Sequence, residues 1–239
     1  MESLAGKIAI VTGGTRGIGR SITERLLREG AQVAICGRSR ESLDRAVTHM
    51  SGFGKLFGHC TDVTSVQQVA DFFAAVDRHF GGLDILVNNA GAGTFRKVGE
   101  MSPEEWLQNI NLNLNGTFYC CREALPRFTR RGGGFIVNIS SLAGKNAFSG
   151  GAGYNAAKAG VNLFTEAMML DHRYDNIRVT SIMPGSVDTE FSGRGERHAT
   201  DSTWMIAPED IAEVVSLVLR IPGRTMISRV EMRPSRPKK

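Results

Sequence analysis

Tyr154 and Lys158 lie four residues apart in GYNAAKAG, residues 153–160, a segment that is otherwise small and nearly uncharged. On a helix this spacing places both side chains on one face. A free tyrosine has a pKa of about 10 and is a poor base at neutral pH, but a nearby ammonium favours the phenolate and lowers that pKa. The pair is therefore a candidate for proton transfer to or from a bound substrate.

Short apolar strands alternate with amphipathic helices along the chain, which predicts a parallel sheet covered by helices on both faces. We predict one α/β domain over residues 1–239, with a Rossmann-type, doubly wound sheet of seven parallel strands. The predicted strands lie at 7–13, 32–37, within 55–63, and at 84–91, 134–141, 177–185 and 226–232. The predicted helices lie at 17–29, 40–50, 65–80, 103–130, 152–172 and 208–220.

A glycine-rich turn follows the first predicted strand, at the edge where such sheets bind ligands. In TGGTRGIG, residues 12–19, the glycines at 13, 17 and 19 allow a tight turn and a close approach to a pyrophosphate at a helix N-terminus. The spacing is GxxxGxG rather than GxGxxG. By itself it is a weak signal, because glycine-rich turns between strands and helices are common.

The end of the second predicted strand indicates which dinucleotide is preferred. An NAD site carries an acidic residue there to bind the ribose 2′-hydroxyl, but this chain has Gly37 followed by Arg38. Together with Arg16 in the glycine turn, Arg38 suits a 2′-phosphate, so these residues favour NADP(H). The alternative is that both arginines are simply solvated.

The remaining strand ends carry small or polar residues: DV at 62–63, NNAG at 88–91, SS at 140–141 and PGSVDT at 184–189. With TGxxxGxG, the serine at 141, thirteen residues before YxxxK, and PGxxxT, the chain resembles the short-chain dehydrogenase/reductase family. The resemblance covers about residues 5–233. It implies that one crevice holds both a dinucleotide and the reacting groups.

The resemblance implies four catalytic residues. Tyr154 would be the general acid/base that protonates a carbonyl oxygen, and Lys158 would also hold the nicotinamide ribose. Ser141 would hydrogen-bond the reacting oxygen. Asn113, assigned within NLNLN from the register of EEW and NLNGTF, would anchor a proton-relay water.

The resemblance also implies the cofactor contacts. Those of the glycine turn and the second strand are Gly13, Thr15, Arg16, Gly17, Ile18, Gly19 and Arg38. Asp62 and Val63 would meet the adenine, and Asn89, Ala90 and Gly91 would line the ribose and diphosphate. Pro184, Gly185, Val187 and Thr189 would lie near the carboxamide, and Tyr154 and Lys158 also touch the cofactor.

These features predict an NADPH-dependent reduction of a ketone or aldehyde to an alcohol. One alternative is a 3-oxoacyl-(acyl carrier protein) reductase, which the ending ISRVEMRPSRPKK disfavours because such members usually end in DGG. A non-catalytic NADP-binding sensor is another alternative, and the intact serine, tyrosine and lysine argue against it. The candidate pocket residues, each with ordinary packing as its alternative, are Phe95, Leu142, Asn146, Phe148, Met183 and Trp204.

Composition excludes several other classes. The net charge of +5 is partly due to the basic tail RPSRPKK, and no basic stripe with interleaved aromatics predicts a nucleic-acid surface. No apolar run approaches about 18 residues, which predicts no membrane span and a cytoplasmic protein. The four cysteines form no CxxC pair and the five histidines are scattered, so we predict no metal site and a reducing compartment.

Two further expectations concern assembly and motion. Residues 156–170 carry only Lys158 and Glu166 as charges, so this helix should be covered on both sides. With the 103–131 helix it would form the interface of a homodimer or homotetramer, as the family resemblance also implies. The segment 190–206, with glycines at 193 and 195, is expected to be a substrate lid, and a plain surface connection is the alternative.

Overall fold

A seven-stranded parallel sheet forms the centre of the computed structural model, which describes residues 1–189 and 202–237. Its strand order is β3-β2-β1-β4-β5-β6-β7, so the predicted doubly wound α/β fold is confirmed. The strands are β1 (Ile8–Thr12), β2 (Gln32–Gly37), β3 (Leu56–Cys60), β4 (Ile85–Asn88), β5 (Gly134–Ile139), β6 (Ile177–Pro184) and β7 (Arg229–Met232).

Helices cover both faces of the sheet because side chains alternate along each buried strand. In β1, Ala9 and Val11 belong to one hydrophobic cluster and Ile8 and Ile10 to a second cluster on the opposite face of the sheet. The helices are α1 (Gly17–Arg28), α2 (Arg40–Met50), α3 (Val66–Phe80), α4 (Pro103–Ile110), α5 (Gly116–Arg131), α6 (Ala152–His172) and α7 (Pro208–Arg220).

The predicted helix over 103–130 is confirmed in its extent, but it is not a regular α-helix throughout. A single π-helical turn, Asn111–Asn115, separates α4 from α5. Within it, the side-chain amide of Asn113 donates to the carbonyl oxygen of Asn109, 2.9 Å away. In a regular α-helix the backbone N–H of residue 113 would bond that carbonyl. Such turns are frequent at functional sites and have no periodicity that a sequence pattern reveals.

The strand order creates a crevice above β1 and β4. These two strands are neighbours although the chain forms β2 and β3 between them, so the connections after β1 and β4 leave the sheet in opposite directions. Open parallel sheets bind ligands at this switch point, beyond the carboxyl ends of the strands. The glycine turn after β1 and NNAG after β4 both lie there.

Candidate active site

The glycine turn and the NNAG segment are held together by one asparagine. Gly13 and Gly17 have φ angles of +63° and +51°, a region that favours glycine. A Cβ at Gly19 would clash with the carbonyl oxygen of Gly13. The Nδ2 of Asn89 donates to the carbonyl oxygens of Thr12 and Gly13 at 3.0 and 3.1 Å. The turn is therefore tight and held in place. Its backbone, at the start of α1, is open to contact by a ligand.

The turn after β6 also comes back to the glycine turn. A Cβ added at Gly17 would lie 3.2 Å from the Cγ2 of Thr189, and the N–H of Gly185 donates to Met232. Val187 forms a parallel bridge with Ile206. The structure thus brings three of the predicted contacts after β6 to the same end of the sheet as the turn after β1.

The region at the carboxyl end of β2 is exposed to solvent and carries basic side chains. Arg16 and Arg38 are both exposed, and Arg38 makes no ion pair with any residue that the structure describes. A Cβ added at Gly37 would lie 3.0 Å from the Cγ2 of Thr15, so Thr15 stands directly beside the position where an acid would bind a 2′-hydroxyl. Below this end, Asp62 accepts hydrogen bonds from the backbone and hydroxyl of Thr64.

Ser141, Tyr154 and Lys158 meet at the carboxyl ends of β5 and β6. Ser141 follows β5, and its hydroxyl is hydrogen-bonded to Tyr154. The Nζ of Lys158 lies 5.8 Å from the centre of the Tyr154 ring and donates to the carbonyl oxygen of Ile139 at 2.9 Å. Tyr154 is 7% exposed and Lys158 5%. The structure therefore brings Ser141, which follows a strand, close to Tyr154 and Lys158, which lie on a helix, as the sequence predicts.

Burial controls the protonation of this pair. It raises the pKa of Tyr154 to about 12, although the hydrogen bond from Ser141 opposes the rise. It lowers the pKa of Lys158 to about 8. The net pKa shift of Tyr154 is therefore opposite to the lowering that the sequence predicts, because removing the phenol from water disfavours the phenolate more strongly. At neutral pH, Tyr154 holds a proton that it can donate.

Asn113 lies beside this group in a polar pocket. Its Nδ2 donates to Ala92 at 2.8 Å, its side chain is buried, and its Oδ1 has no partner among the described residues. A Cβ added at Gly91 would lie 2.7 Å from that Oδ1 and 3.6 Å from the Nζ of Lys158. An orphaned buried acceptor is costly, so this oxygen faces a place that a polar group or water would fill. A role for Asn113 in proton relay stays a prediction.

Several contacts of buried polar residues behind the site were not predicted. The Nδ2 of Asn88 donates to Asn138, whose Nδ2 donates in turn to Thr165 on α6, at 2.8 and 2.9 Å. The Ser140 hydroxyl donates to the backbone carbonyl of Lys158 at 3.2 Å. These contacts fix the register of α6 against β4 and β5. A polar side chain inside apolar strands, as in ILVN and FIVNI, was the available signal.

The candidate pocket residues differ in where the structure places them. Phe95 and Phe148 lie near Tyr154, and a Cβ at Gly185 would lie 3.2 Å from Leu142. Met183 is 1% exposed within β6, so it is ordinary core. Asn146 is exposed and Trp204 half-buried.

The predicted lid over 190–206 lies mostly outside the described residues, which omit 190–201. Its final residue, Ile206, is buried in the core, and its backbone bonds to Ser186 and Asp188. Ile206 therefore cannot close over a substrate, because it is part of the packed scaffold. The rest of the lid hypothesis stays a prediction.

Metal and membrane features can be assessed for the described part of the chain. There, no three His, Cys, Asp or Glu side chains are grouped to hold a metal ion. Among the helices described, none is both long and apolar enough to span a lipid bilayer. Cys36, Cys120 and Cys121 are free and buried, as expected for small core residues, and Cys60 is free and exposed.

Comparison with known proteins decides the family. A family model described as short chain dehydrogenase matches residues 7–199. The chain belongs to the short-chain dehydrogenases. An uncharacterized oxidoreductase of Staphylococcus aureus strain MW2 is 33% identical over 234 residues, which cover 98% of this chain and 100% of the relative. This short-chain dehydrogenase is therefore an oxidoreductase.

Solved structures of other short-chain dehydrogenases are similar over almost the whole chain. An alcohol dehydrogenase from the archaeon Thermococcus sibiricus, complexed with 5-hydroxy-NADP, has a TM-score of 0.89 at 28% identity and covers 98% of this chain and 99% of its own. A metagenomic short-chain oxidoreductase in complex with NADP has a TM-score of 0.85 at 34% identity, with coverage of 99% and 100%. The fold described above is thus that of the family.

Proposed function

We propose that this short-chain dehydrogenase is an NADPH-dependent reductase that converts a ketone or aldehyde into an alcohol. The observation that carries the proposal is the contact of Ser141 with Tyr154, beside the buried Lys158, at the end of the sheet where the glycine turn lies. A buried phenol with a raised pKa is a proton donor at neutral pH. The reaction that needs such a donor is the protonation of a carbonyl oxygen as it becomes an alkoxide.

The residues around the crevice fit a dinucleotide phosphate. The turn of Gly13, Gly17 and Gly19 leaves no Cβ between the backbone and a pyrophosphate at the start of α1. Arg38 and Arg16 offer guanidinium groups where an NAD-binding protein needs an acid. Asn89 and Gly91 line the same crevice after β4. When bound, NADPH supplies the hydride that the carbonyl carbon receives.

The chain's own residues then handle the oxygen. Ser141 binds the carbonyl oxygen, and Tyr154, its hydrogen-bond partner, gives that oxygen a proton. Lys158 is mostly charged at neutral pH because its pKa is about 8, so it stabilises the phenolate that Tyr154 becomes. The unpartnered Oδ1 of Asn113 would hold a water through which the tyrosine is reprotonated.

The preference for NADPH rests on charge. Arg38 is exposed and has no ion-pair partner in the described chain, so it can bind a phosphate without first breaking another contact. The Thermococcus sibiricus and metagenomic relatives were solved with NADP-type ligands, which supports the same preference here. Gly37 leaves no carboxylate to repel a 2′-phosphate.

We also propose that two or four copies assemble through α5 and α6. The outward stripe of α6 is formed by Ala156, Ala159, Leu163, Ala167 and Leu170, and Leu163 is 70% exposed. Phe118 on α5 is 44% exposed beside it and packs on Phe164. An apolar surface of this extent on neighbouring helices is typical of a contact between subunits.

The test is oxidation of NADPH, followed by absorbance, with a panel of ketones, aldehydes and a 3-oxoacyl thioester. Turnover of simple ketones or aldehydes at a higher kcat/KM than the thioester supports the proposal. A clear preference for the thioester would replace it with the 3-oxoacyl reductase function. NADPH binding without turnover of any substrate would favour the non-catalytic sensor.

A further inference from the structure

Three aromatic rings form a continuous row from the reacting tyrosine towards solvent. The Phe95 ring lies edge-on to Tyr154, with 5.7 Å between centres and an interplanar angle of 86°. It also contacts Phe148 at 5.5 Å and 64°. Tyr154 is buried and Phe148 is 46% exposed, so the row opens to solvent at one end. We call Phe95 and Phe148 the aromatic wall.

Each ring of the aromatic wall lies against a glycine. A Cβ added at Gly93 would stand 2.6 Å from the Cζ of Phe95, and one added at Gly151 would stand 2.6 Å from the Cζ of Phe148. Cβ atoms essentially never come so close to another heavy atom, so any larger residue would displace the ring. The backbone at these two positions is therefore shaped to hold the rings where they are.

The two loops that carry the wall are fixed to each other and to the catalytic helix. The N–H of Arg96 donates to the carbonyl oxygen of Gly150 at 2.8 Å, which joins the loop after β4 to the loop before α6. The buried Asn109 exchanges two hydrogen bonds with the backbone of Thr94, both 3.2 Å long. A Cβ at Gly153 would lie 2.9 Å from the Nδ2 of Asn109, so this anchor touches the first turn of α6.

We propose that Phe95 and Phe148 determine specificity by selecting carbonyl compounds with an aromatic ring next to the carbonyl group. The inference rests on the proposed function and names its substrate class. A substrate whose oxygen reaches Ser141 and Tyr154 extends its substituent along the wall. Aromatic rings prefer edge-to-face or offset contacts, and these add affinity beyond the burial of area. The 46% exposed Phe148 gives such a ring a partner that the described residues leave partly uncovered.

Burial distinguishes this reading from packing for stability. A phenylalanine that only fills the core is covered, as Phe72, Phe73 and Phe128 are in this chain. Phe148 leaves almost half of its side chain in water, as several other apolar residues of the chain do, but its ring contacts Phe95, which contacts Tyr154. Its placement beside the proton donor, on a loop hydrogen-bonded to the loop of Phe95, fits recognition of a ligand.

The experiment compares acetophenone with cyclohexyl methyl ketone, which has a saturated ring of similar size, and with 2-butanone. We expect the wild-type chain to favour acetophenone over the cyclohexyl ketone in kcat/KM. Phe148→Leu keeps an apolar side chain but removes the ring, and should lower kcat/KM for acetophenone roughly tenfold while changing that for 2-butanone less than about threefold. Tyr174→Leu, which changes a 92% exposed aromatic outside the site, is the matched control.

A second variant moves the ring without removing it. Gly151→Ala pushes on both Phe148 and the Oδ1 of Asn155, and should reproduce the selective loss for acetophenone. Equal losses for all three ketones in Phe148→Leu, or equal wild-type activity on the aromatic and saturated ketones, would overturn the inference and leave the reductase function intact.

Binding separates the two proposals if turnover fails. Calorimetry with the NADP⁺-loaded protein should show tighter binding of 1-phenylethanol than of 1-cyclohexylethanol, and Phe148→Leu should remove the difference. If the protein reduces no ketone but binds 1-phenylethanol selectively, the proposed function is contradicted and the selection of aromatic ligands by the aromatic wall is supported. If the protein reduces ketones but shows no selective binding, only the role of the aromatic wall in specificity is contradicted.

Discussion

The Nζ of Lys158 lies 5.8 Å from the centre of the Tyr154 ring, and both side chains are nearly excluded from solvent. Their pKa values move apart, to about 8 for the ammonium and about 12 for the phenol, because burial disfavours the charged form of each. The lysine still carries its charge at neutral pH, and the tyrosine still carries its proton. That state is the one that a carbonyl reductase requires before its substrate binds.

Removing the phenolic hydroxyl should stop turnover without preventing cofactor binding. Tyr154→Phe keeps the ring and its contact with Phe95, so the fold and the aromatic wall are retained. We expect kcat to fall by at least about a hundredfold, the usual contribution of a general acid. Fluorescence titration should show NADPH affinity within a few-fold of wild type. Tyr174→Phe at the exposed surface is the control, and substantial activity in Tyr154→Phe would contradict the proposed chemistry.

Lys158 should make the stability of the chain depend on pH. Its pKa falls from 10.5 to about 8 on folding, so below about pH 8 both states hold the proton and burial of the charge costs roughly 3 kcal/mol. The cost shrinks as pH rises through this window and disappears above about 10.5. Lys158→Met should therefore stabilise the fold by about 2 kcal/mol near pH 7, since the lost hydrogen bond to Ile139 offsets part of the gain.

The measurement for this lysine is urea unfolding of wild type and variant at several pH values between about 7 and 10.5. The difference in the free energy of unfolding should decline steadily as pH rises. Lys55→Met, which changes an exposed lysine, should give no such trend. A difference that is constant with pH would show that the ammonium is not desolvated in the folded chain.

Cofactor preference should depend on Arg38. Arg38→Ile removes a guanidinium that can bind the 2′-phosphate, and we expect kcat/KM for NADPH to fall roughly tenfold to a hundredfold while that for NADH changes little. Adding Gly37→Asp should raise the NADH value, although its Cβ must fit 3.0 Å from Thr15. Arg40→Ile is a suitable control, because Arg40 pairs with Asp44 on α2. Equal use of both cofactors by the wild type would refute the assignment.

Assembly should depend on the outward stripe of α6. Leu163 is 70% exposed in the single chain, so Leu163→Glu should not harm the fold. In a dimer or tetramer built on α5 and α6 it would bury an unpaired charge, and we expect light scattering to report a smaller species. Leu217→Glu on α7, where the leucine is 45% exposed, is the matched control. A wild-type monomer at micromolar concentration would contradict the proposal.

The sequence predicts the candidate catalytic pair and the sheet because both follow from regular spacing. Tyr154 and Lys158 share a face of α6 as the four-residue interval requires, and the seven strands follow from apolar runs bounded by glycine or polar residues. Their ends were less well predicted: the run 84–91 forms a strand only to Asn88, because the next asparagine turns back to bond Thr12.

Features that depend on side chains from distant segments could not be predicted. The π-helical turn at Asn111–Asn115 depends on what Asn113 bonds, and the anchor between Asn109 and Thr94 is a contact between elements. The pKa of Tyr154 was predicted in the wrong direction because a sequence shows the neighbouring charge but not the extent of burial.

The hydrogen bonds from Asn89 to the glycine turn also limit when parts of this protein can form during its synthesis. Thr12 is the last residue of β1 and Asn89 directly follows β4, and the two are separated by 77 positions. During synthesis the glycine turn therefore cannot be held in place until the chain has been made at least through Asn89. Tyr154 and Lys158 are made later still, so a nascent chain that has just reached Asn89 contains the partners of these bonds but neither the tyrosine nor the lysine.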